Sequence, residues 1–401
     1  MNVARHVGRW TADDRVENVY RYLAFDVPAG AASVQVQLDF DRSAGVLDLG
    51  CQAPSGWRGW SGGARSSYVI TREAATPGYL PGELEAGTWY VVLGLHRVPP
   101  AGLEFTVSVD VAPAGTAPPA LPPAPPVPPP AERRPPRALP SVDGLSWRAG
   151  DFHSHTVHSD GTLTVAQLAQ LGAAQGLDFL AVTDHNTISH HSSLAAAGAA
   201  AGIQLVPGQE VTTGFGHANA FGNVGWIDFR EPADTWWPAV EARGGLLSVN
   251  HPLGGDCSWR HEVSRRPPLA EVWHSSWLDR RWGGPLAWWQ SWDITTIPIG
   301  GSDFHAHPDV APGSPTTWVA CTGDDVLGGL RAGRVAISSA SSGPLLLRVG
   351  DELVALGSDG AVLTGPDGRR RIVRGDTATF PAEAGPHWLE DHETRVLAVS
   401  G

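Results

Sequence analysis

The chain of 401 residues contains no lysine, and all 28 of its basic residues are arginine. Schiff-base chemistry and phosphate binding through a P-loop lysine are therefore excluded. The three cysteines, Cys51, Cys257 and Cys321, are too few and too scattered for a disulfide framework, which fits a reducing compartment. No apolar run is long enough to span a membrane, and residues 1–13 lack the apolar segment of a signal peptide. We therefore expect a cytoplasmic protein with no membrane partner.

Basic residues are also fewer than acidic residues. The formal net charge is -13, because 41 acidic residues outnumber the 28 arginines. Proteins that bind long nucleic acid neutralise many phosphates with a broad basic face. The charge balance argues against such a partner and leaves nucleotides, short oligonucleotides and other small molecules as candidate ligands.

Proline is concentrated in one segment of the chain. Thirteen prolines lie between Pro113 and Pro140, and alanine fills many of the positions between them. This composition is typical of a semi-extended spacer. We predict a linker at residues 113–142, with separately folded parts on either side. The part before the linker is then expected to be dispensable for any chemistry in the part after it.

The segment before the linker, residues 1–112, alternates apolar and polar residues in short runs between glycine- and proline-bearing turns. This pattern predicts a β-sandwich. Three tryptophans are assigned to its core, with a platform for a glycan or protein ligand as the alternative: Trp57, Trp60 and Trp89. After the linker, a larger domain is predicted at residues 143–344 and a small β-rich extension at residues 345–401.

Histidine is the residue that this chain has in excess. Twelve of its sixteen histidines lie between residues 153 and 307, many of them in short groups with Asp or Glu. Imidazole nitrogens and carboxylate oxygens are the ligands that a site for several divalent transition ions needs. Each group alone is weak evidence, because His-x-His pairs occur by chance on strands and aspartates often cap helices. Taken together, the groups favour a metallohydrolase.

The histidine groups follow predicted strands. Buried strands are predicted at residues 147–151, 177–183, 203–207, 245–249 and 296–299, with helical patterns at residues 163–176 and 194–202. Parallel α/β barrels build their sites just beyond the C-terminal ends of their strands. We therefore predict that the groups converge in space in an α/β domain.

Five motifs in this order resemble the polymerase and histidinol phosphatase (PHP) domain: Asp151-Phe-His-Ser-His-Thr followed by Ser159-Asp-Gly, Ala181-Val-Thr-Asp-His-Asn, Gly208-Gln-Glu, Asn250-His-Pro and Gly301-Ser-Asp-Phe-His. The resemblance covers roughly residues 146–344 and implies a distorted parallel (β/α)7-type barrel. Two further motifs, Gly216-His-Ala-Asn-Ala-Phe-Gly and Leu269-Ala-Glu-Val-Trp, are similar to the branch that contains carbamate and ester hydrolases. Where that branch has an Asn after Glu-Val-Trp, this chain has His274.

The resemblance implies a cluster of two or three divalent ions, Mn, Fe or Zn. The implied ligands form three sets: His153 and His155 with Glu210 and Asp303; Glu210 with His217 and His251; and Asp160 with His185 and His305. Glu210, Asp303 and His305 are expected to be catalytic. Such ions lower the pKa of a water molecule and polarise the bond to be cleaved, so no protein nucleophile is needed.

Substrate contacts are predicted in the insertion between two ligand motifs, residues 253–292, which is rich in arginine and tryptophan. Arginine binds phosphate oxygens through paired hydrogen bonds, whereas tryptophan suits a flat apolar group or a nucleobase. Packing of the insertion itself is the alternative role for the tryptophans. The candidate substrate-binding residues are Arg260, Arg265, Arg266, Arg280 and His274, with Arg281 beside them.

Three functions remain open from the sequence. The favoured one is a metal-dependent phosphoesterase that acts on a small aromatic or nucleotide phosphoester. The second is a carboxylic or carbamic ester hydrolase that uses the same ions. The third is a non-catalytic sensor, which the complete set of ligand residues disfavours.

Overall fold

The computed structural model describes residues 2–117, 119–121, 123, 125–127, 129, 132–293, 295–306, 308 and 310–401. The chain forms two compact units that are not simple consecutive halves. The first unit is Met1–Pro126 together with two short segments, Val157–Asp160 and Asp184–His190. The second unit is Val127–Thr156, Gly161–Thr183 and His191–Gly401. The boundary between the units therefore falls within the motifs that begin at Asp151 and Ala181.

The first unit contains two antiparallel four-stranded sheets, in the orders β1-β8-β3-β6 and β2-β7-β4-β5. The elements are β1 (Asn2–Trp10), α1 (Ala12–Glu17), β2 (Tyr20–Val27), β3 (Ser33–Phe40), β4 (Val46–Ala53), β5 (Gly56–Gly62), β6 (Ser67–Thr71), β7 (Gly87–Arg97) and β8 (Leu103–Ala112). Inward residues of both sheets, among them Val36 on β3 and Val91 on β7, belong to one apolar core. The short helix α1 was not predicted; a capping box between Thr11 and Asp14 supports it.

The second unit is built on a 13-stranded sheet and a separate three-stranded sheet. Its elements up to residue 221 are β9 (Ser146–Asp151), α2 (Val165–Ala174), β10 (Phe179–Val182), α3 (His191–Ala201), β11 (Gln204–Thr213) and β12 (Gly216–Phe221). Those that follow are α4 (Trp236–Glu241), β13 (Leu246–Val249), β14 (Leu269–His274), α5 (Gly284–Trp292), β15 (Ile297–Gly301), β16 (Thr316–Cys321), α6 (Val326–Arg331) and β17 (Val335–Ser338). The predicted strands and both helical patterns are present with shifted ends, as expected where end residues fray.

The large sheet is mixed rather than parallel throughout. Strands β9, β10 and β11 pair in parallel, as do β13, β14 and β15. Between these groups, β12 pairs antiparallel with both β11 and β13. The reversal follows from the short connection between β11 and β12, which only an antiparallel hairpin can accommodate. The predicted distorted (β/α)7-type barrel remains a prediction.

The C-terminal residues continue the fold of the second unit. Their strands are β18 (Leu345–Val349), β19 (Glu352–Leu356), β20 (Val362–Thr364), β21 (Arg370–Ile372), β22 (Thr377–Pro381), β23 (His387–Glu390) and β24 (Val396–Ser400). Strand β24 pairs with β17, so β24, β23, β20 and β21 extend the same 13-stranded sheet. Val399 on β24 is fully buried against side chains of β14 and β17.

The described part of the predicted linker makes contacts of its own. Arg133 forms an ion pair with Asp178 at 2.6 Å, and Arg137 lies over the ring of Trp318. This part of the linker is therefore fastened to the second unit, because its arginines find partners there. Among the described residues, no helix is both long and apolar enough to cross a membrane.

Candidate metal centre

Seven of the nine predicted ligands belong to the second unit. His153 and His155 follow β9, His217 lies on β12, His251 follows β13, and Asp303 and His305 follow β15. Glu210 differs from the sequence-based expectation, because β11 continues past it to Thr213. The remaining two ligands, Asp160 and His185, lie in the two short segments that belong to the first unit.

Backbone hydrogen bonds join the segments after β9 and β15. The His155 amide donates to the carbonyl of Phe304 at 2.9 Å, and the Asp303 amide donates to the carbonyl of His153 at 3.0 Å. The buried carboxylate of Asp151 accepts hydrogen bonds from the amides of His153, Ser302 and Gly313. This pairing brings two motifs that are about 150 residues apart in sequence side by side.

His153 is the residue whose surroundings most directly indicate a cation. Its Nδ1 lies 2.7 Å from Oε1 of Glu271, and a carboxylate can only accept, so Nδ1 carries the proton. Its Nε2 lies 3.2 Å from Oε1 of Glu210 and 3.1 Å from Oδ1 of Asp303. Nε2 is buried and has no hydrogen bond of acceptable geometry within the described part of the chain. A ring nitrogen facing two carboxylate oxygens in this way fits a shared metal ion.

The Glu210 carboxylate lies at the centre of the predicted cluster. Its Oε1 is 3.1 Å from Nδ1 of His217, 3.3 Å from Nε2 of His251 and 2.8 Å from Nδ2 of Asn250, in addition to the contact with His153. One carboxylate oxygen offers about two lone pairs, too few for four nitrogen donors. This crowding fits a carboxylate that would hold metal ions together with the surrounding imidazoles, since imidazole and carboxylate are both ligands of divalent transition ions.

A second group of imidazole rings lies close to the Asp303 carboxylate. Its Oδ1 is 3.0 Å from Nε2 of His155, and its Oδ2 is 3.3 Å from Nε2 of His274. His305 stacks on the ring of His155, with a centroid distance of 4.1 Å. Ligand atoms of His153, His155 and Glu210 lie within 4.8 Å of one another, and so do those of His153, His251 and Asp303. Both sets fit the donor number and type that a divalent transition ion takes.

Two of these ligands have strained backbones. His251 has φ 26° and Asp303 has φ 53°, in a region that residues other than glycine seldom adopt. Such strain persists only where the surrounding structure enforces it, and it is concentrated at functional sites. For His251, the enforcing contact is its amide hydrogen bond to Oε2 of Glu271 at 2.8 Å.

The electrostatic environment is strongly negative. Burial alone would lower the pKa of His153, but the carboxylates of Glu271, Asp303 and Glu210 raise it well above its ordinary value. Burial would raise the pKa of Asp303, yet the facing imidazoles hold it well below the usual range. Buried carboxylates are costly unless cations neutralise them, so this environment suits divalent ions.

Asp160 and His185 are neighbours within the first unit. Oδ1 of Asp160 is 3.6 Å from Nε2 of His185, and both side chains are partly exposed. Asp184 next to them accepts hydrogen bonds from the amide and the hydroxyl of Ser159. Asp48 on β4 lies within electrostatic reach of His185, and burial raises its pKa to about 7.

Sequence reasoning missed the role of Glu271. This carboxylate is fully buried on β14 and contacts His153 and the His251 backbone, so it orients two predicted ligands. A glutamate in an otherwise apolar strand, directly before His274, was the available signal. His274 is also buried at the cluster and lies within 4.8 Å of His153 and Glu271, so it is a candidate ligand or proton donor.

The predicted substrate-binding arginines are engaged elsewhere, and each is exposed or partly exposed. Arg260 donates to the carbonyls of Gly214 and Asp256, and Arg265 pairs with Glu241. The other three are Arg266, stacked over Trp292; Arg280, bonded to the carbonyl of Val396; and Arg281, paired with Asp279. The expectation of arginine–phosphate contacts thus receives no support from their geometry.

The described side chains define a buried imidazole and carboxylate centre of the kind that holds several divalent ions in metal-dependent hydrolases. The sequence model of the PHP domain matches residues 151–235. This segment begins at the last residue of β9, continues through α2, β10, α3, β11 and β12, and contains six of the nine predicted ligands.

Two curated relatives each match a short part of the chain. A 5'-3' exoribonuclease of Haemophilus influenzae is 38% identical over 63 residues, which is 16% of this chain and 23% of the relative. A 3',5'-nucleoside bisphosphate phosphatase of Chromobacterium violaceum is 38% identical over 84 residues, 21% of this chain and 29% of the relative. The matches thus span about a quarter of the length of these relatives.

Among solved structures, a two-domain protein from Bacteroides vulgatus that contains a predicted PHP-like metal-dependent phosphoesterase aligns at a TM-score of 0.44 and 17% identity. The alignment covers 68% of this chain and 99% of that protein.

Proposed function

We propose that this protein is a metal-dependent phosphoesterase that hydrolyses a small phosphoester carrying an aromatic or nucleoside group. The observation that carries the proposal is the geometry at His153, whose Nε2 faces Glu210 and Asp303 while Glu271 holds its other nitrogen. Both curated relatives are named for cleavage of phosphoesters of nucleotides or RNA, which favours this bond over a carboxylic or carbamic ester.

The proposed ligand sets are those given by the family pattern. His153, His155, Glu210 and Asp303 would hold one ion, and Glu210, His217 and His251 a second. Asp160 and His185 belong to the set that the family pattern gives for a third ion. When bound, the ions supply an activated water and neutralise charge that develops on the phosphoryl oxygens. Glu271 and Asp151 orient the ligand side chains, and His274 is placed to hold or donate a proton at Nε2. The five insertion arginines have no assigned part in substrate binding.

A pocket beside the cluster supports an aromatic substrate group. Its lining includes His251, Glu271 and His274 of the cluster together with Gly254 and Ser276. The other lining residues are apolar: Pro252, Leu253, Val272, Trp277, Trp282 and Pro285. Trp282 is 55% exposed and Leu253 is 38% exposed, so both are available to a ligand. Indole rings stack with aryl groups and with any nucleobase.

The principal test uses purified protein loaded with Mn, Fe or Zn and a substrate panel. The panel contains phosphomonoesters, phosphodiesters, nucleoside 3',5'-bisphosphates, aryl carbamates and aryl esters. Hydrolysis of phosphoesters with the higher kcat/KM is expected. Faster turnover of carbamates or esters would transfer the assignment to the carboxylic ester hydrolase alternative, and absence of bound metal after reconstitution would refute the metal centre.

Glu210→Gln and Asp303→Asn test the cluster with nearly unchanged side-chain size. Each removes a bridging negative charge, so we expect turnover to fall by at least about a hundredfold and bound metal to decrease while the fold is retained. Glu241→Gln is the matched control, because Glu241 is an exposed carboxylate paired with Arg265. Normal activity and metal content in either cluster variant would show that the ligand assignment is wrong.

Trp282→Ala tests the pocket. Loss of one stacking wall should raise KM for aryl or nucleoside phosphoesters about tenfold, at the lower end of the range for base stacking, and leave methyl phosphate nearly unchanged. Trp292→Ala is the control, because Trp292 stacks on Trp288 and does not line the pocket. Equal KM changes for aromatic and methyl phosphoesters would contradict a role in recognising the aromatic group.

A further inference from the structure

Two short segments that carry parts of the Asp151 and Ala181 motifs form hydrogen bonds with the N-terminal β-strand region. The first, residues 157–160, carries Asp160, and the second, residues 184–190, carries His185. Both belong to the same compact unit as the eight N-terminal strands. The two proposed ligands of the third ion are thus supported by a part of the chain that lies before the proline-rich segment.

Arg65 fastens the 157–160 segment. Its two terminal nitrogens donate hydrogen bonds to the backbone carbonyls of Ser159, at 2.9 Å, and Val157. Burial lowers the pKa of this guanidinium, and Tyr79, Asp184 and Asp160 oppose that shift. The positive charge of Arg65 therefore also lies close to two carboxylates of these segments.

Gly78 fastens the 184–190 segment. Its amide donates to Oγ of Ser189 at 3.0 Å, and its carbonyl accepts from Oγ1 of Thr187 at 2.9 Å. Gly78 has φ 101°, and a Cβ at this position would lie 2.9 Å from the carbonyl oxygen of His158. Only glycine fits a backbone that is enclosed in this way.

The two segments also hold each other. Ser159 donates to Asp184 through both its amide and its hydroxyl, and Nδ1 of His158 lies 2.7 Å from Oγ of Ser189. Nδ1 of the buried His190 lies 3.1 Å from Oδ2 of Asp184. Restraint of one segment therefore restrains the other.

We infer that the N-terminal β-strand region positions Asp160 and His185 for the third ion, and that Arg65 is a positioning residue for this metal site. The inference rests on the proposed metal centre, but not on which bond the enzyme cleaves. Partners that orient metal ligands typically change metal affinity by 10- to 100-fold when removed. On this inference the N-terminal part would contribute to metal binding, whereas the composition of the linker predicts that it is dispensable for the chemistry.

The test measures metal binding to the full-length protein. Arg65→Met removes both carbonyl contacts, and we expect the affinity for one ion per chain to fall about 10- to 100-fold, with the other ions retained. Thr187→Val removes the contact with Gly78 at nearly constant volume and should weaken the same ion. Arg65→Lys keeps one donor and should restore part of the affinity. Elemental analysis after dialysis against graded chelator gives the stoichiometry and the affinities.

Two further variants delimit the result. His185→Gln should remove the same ion outright, whereas Arg42→Met should change nothing. The exposed Arg42 donates to the carbonyl of Gly63 and lies over the ring of Phe40, both within the N-terminal β-strand region. The inference is overturned if folded Arg65→Met and Thr187→Val proteins bind all ions as the parent does. It is equally overturned if all ions are lost together, or if His185→Gln leaves the stoichiometry unchanged. A selective loss of one ion supports it even if the parent fails to hydrolyse phosphoesters.

Discussion

At the residue scale, the centre depends on a carboxylate that is not among the proposed ligands. Glu271 contacts Nδ1 of His153 through one oxygen and the amide of His251 through the other. The first contact fixes the tautomer that leaves Nε2 available, and the second holds the strained backbone of His251. The buried side chain of Glu271 thus orients two proposed ligands, His153 and His251, which follow different strands.

We expect Glu271→Gln to lower metal affinity 10- to 100-fold and to lower kcat, because a neutral amide holds the imidazole less firmly and weakens it as a ligand. Competition with a chromogenic chelator measures the affinity. Glu352→Gln, at an exposed position on β19, serves as the control. Unchanged affinity in the Glu271 variant would mean that His153 is oriented by other contacts.

At the scale of elements, the last strand belongs to the sheet that carries the centre. Strand β24 pairs with β17, β17 pairs with β16, and β16 pairs with β9, which ends at Asp151. Val399 is fully buried within this arrangement. The C-terminal strands are therefore expected to stabilise the metal-binding unit rather than to act as a detachable extension.

Val399→Ala should lower the free energy of unfolding by about 2 kcal/mol, since it removes buried apolar surface and leaves a cavity. Ile372→Ala on β21 should change it by less than about 0.5 kcal/mol, because Ile372 is 56% exposed. Urea unfolding of the metal-loaded proteins compares the two. Equal effects would show that β24 contributes no more to stability than the exposed edge of the sheet.

At the scale of the whole molecule, the negative charge restricts the substrate. A net charge of -13 gives little attraction for a polyanion, and the insertion arginines are already engaged. We therefore do not expect this chain to bind RNA strongly, although one relative is named as an exoribonuclease. Small phosphoesters depend less on a broad basic face, because the ions themselves provide positive charge.

We expect a single-stranded RNA of about 30 nucleotides to bind with a Kd above about 0.1 mM at about 0.15 M salt, weaker than ordinary non-specific binding. Under the same conditions, nucleoside phosphates should be hydrolysed. Fluorescence anisotropy measures the first quantity and phosphate release the second. Micromolar, steeply salt-dependent RNA binding would contradict this expectation.

Much of the second unit was predictable because its signals are local in sequence. Apolar runs predicted β10 and β13, and the polar groups that follow predicted strands include proposed ligands such as His153 and His251. The antiparallel β12 was missed as a strand, since Gly216–Phe221 was read as a motif. Register and direction depend on hydrogen bonds to distant strands, which a local pattern does not specify.

The sequence by itself determined which donor groups the candidate centre offers, because imidazole and carboxylate side chains are fixed by residue type. Only the tertiary structure decided how these side chains are supported. Glu271 reaches His153 across 118 positions of sequence, and Arg65 reaches Ser159 across 94. It also decided which partners the insertion arginines have within the chain, because a charged side chain takes whichever partner folding brings within reach.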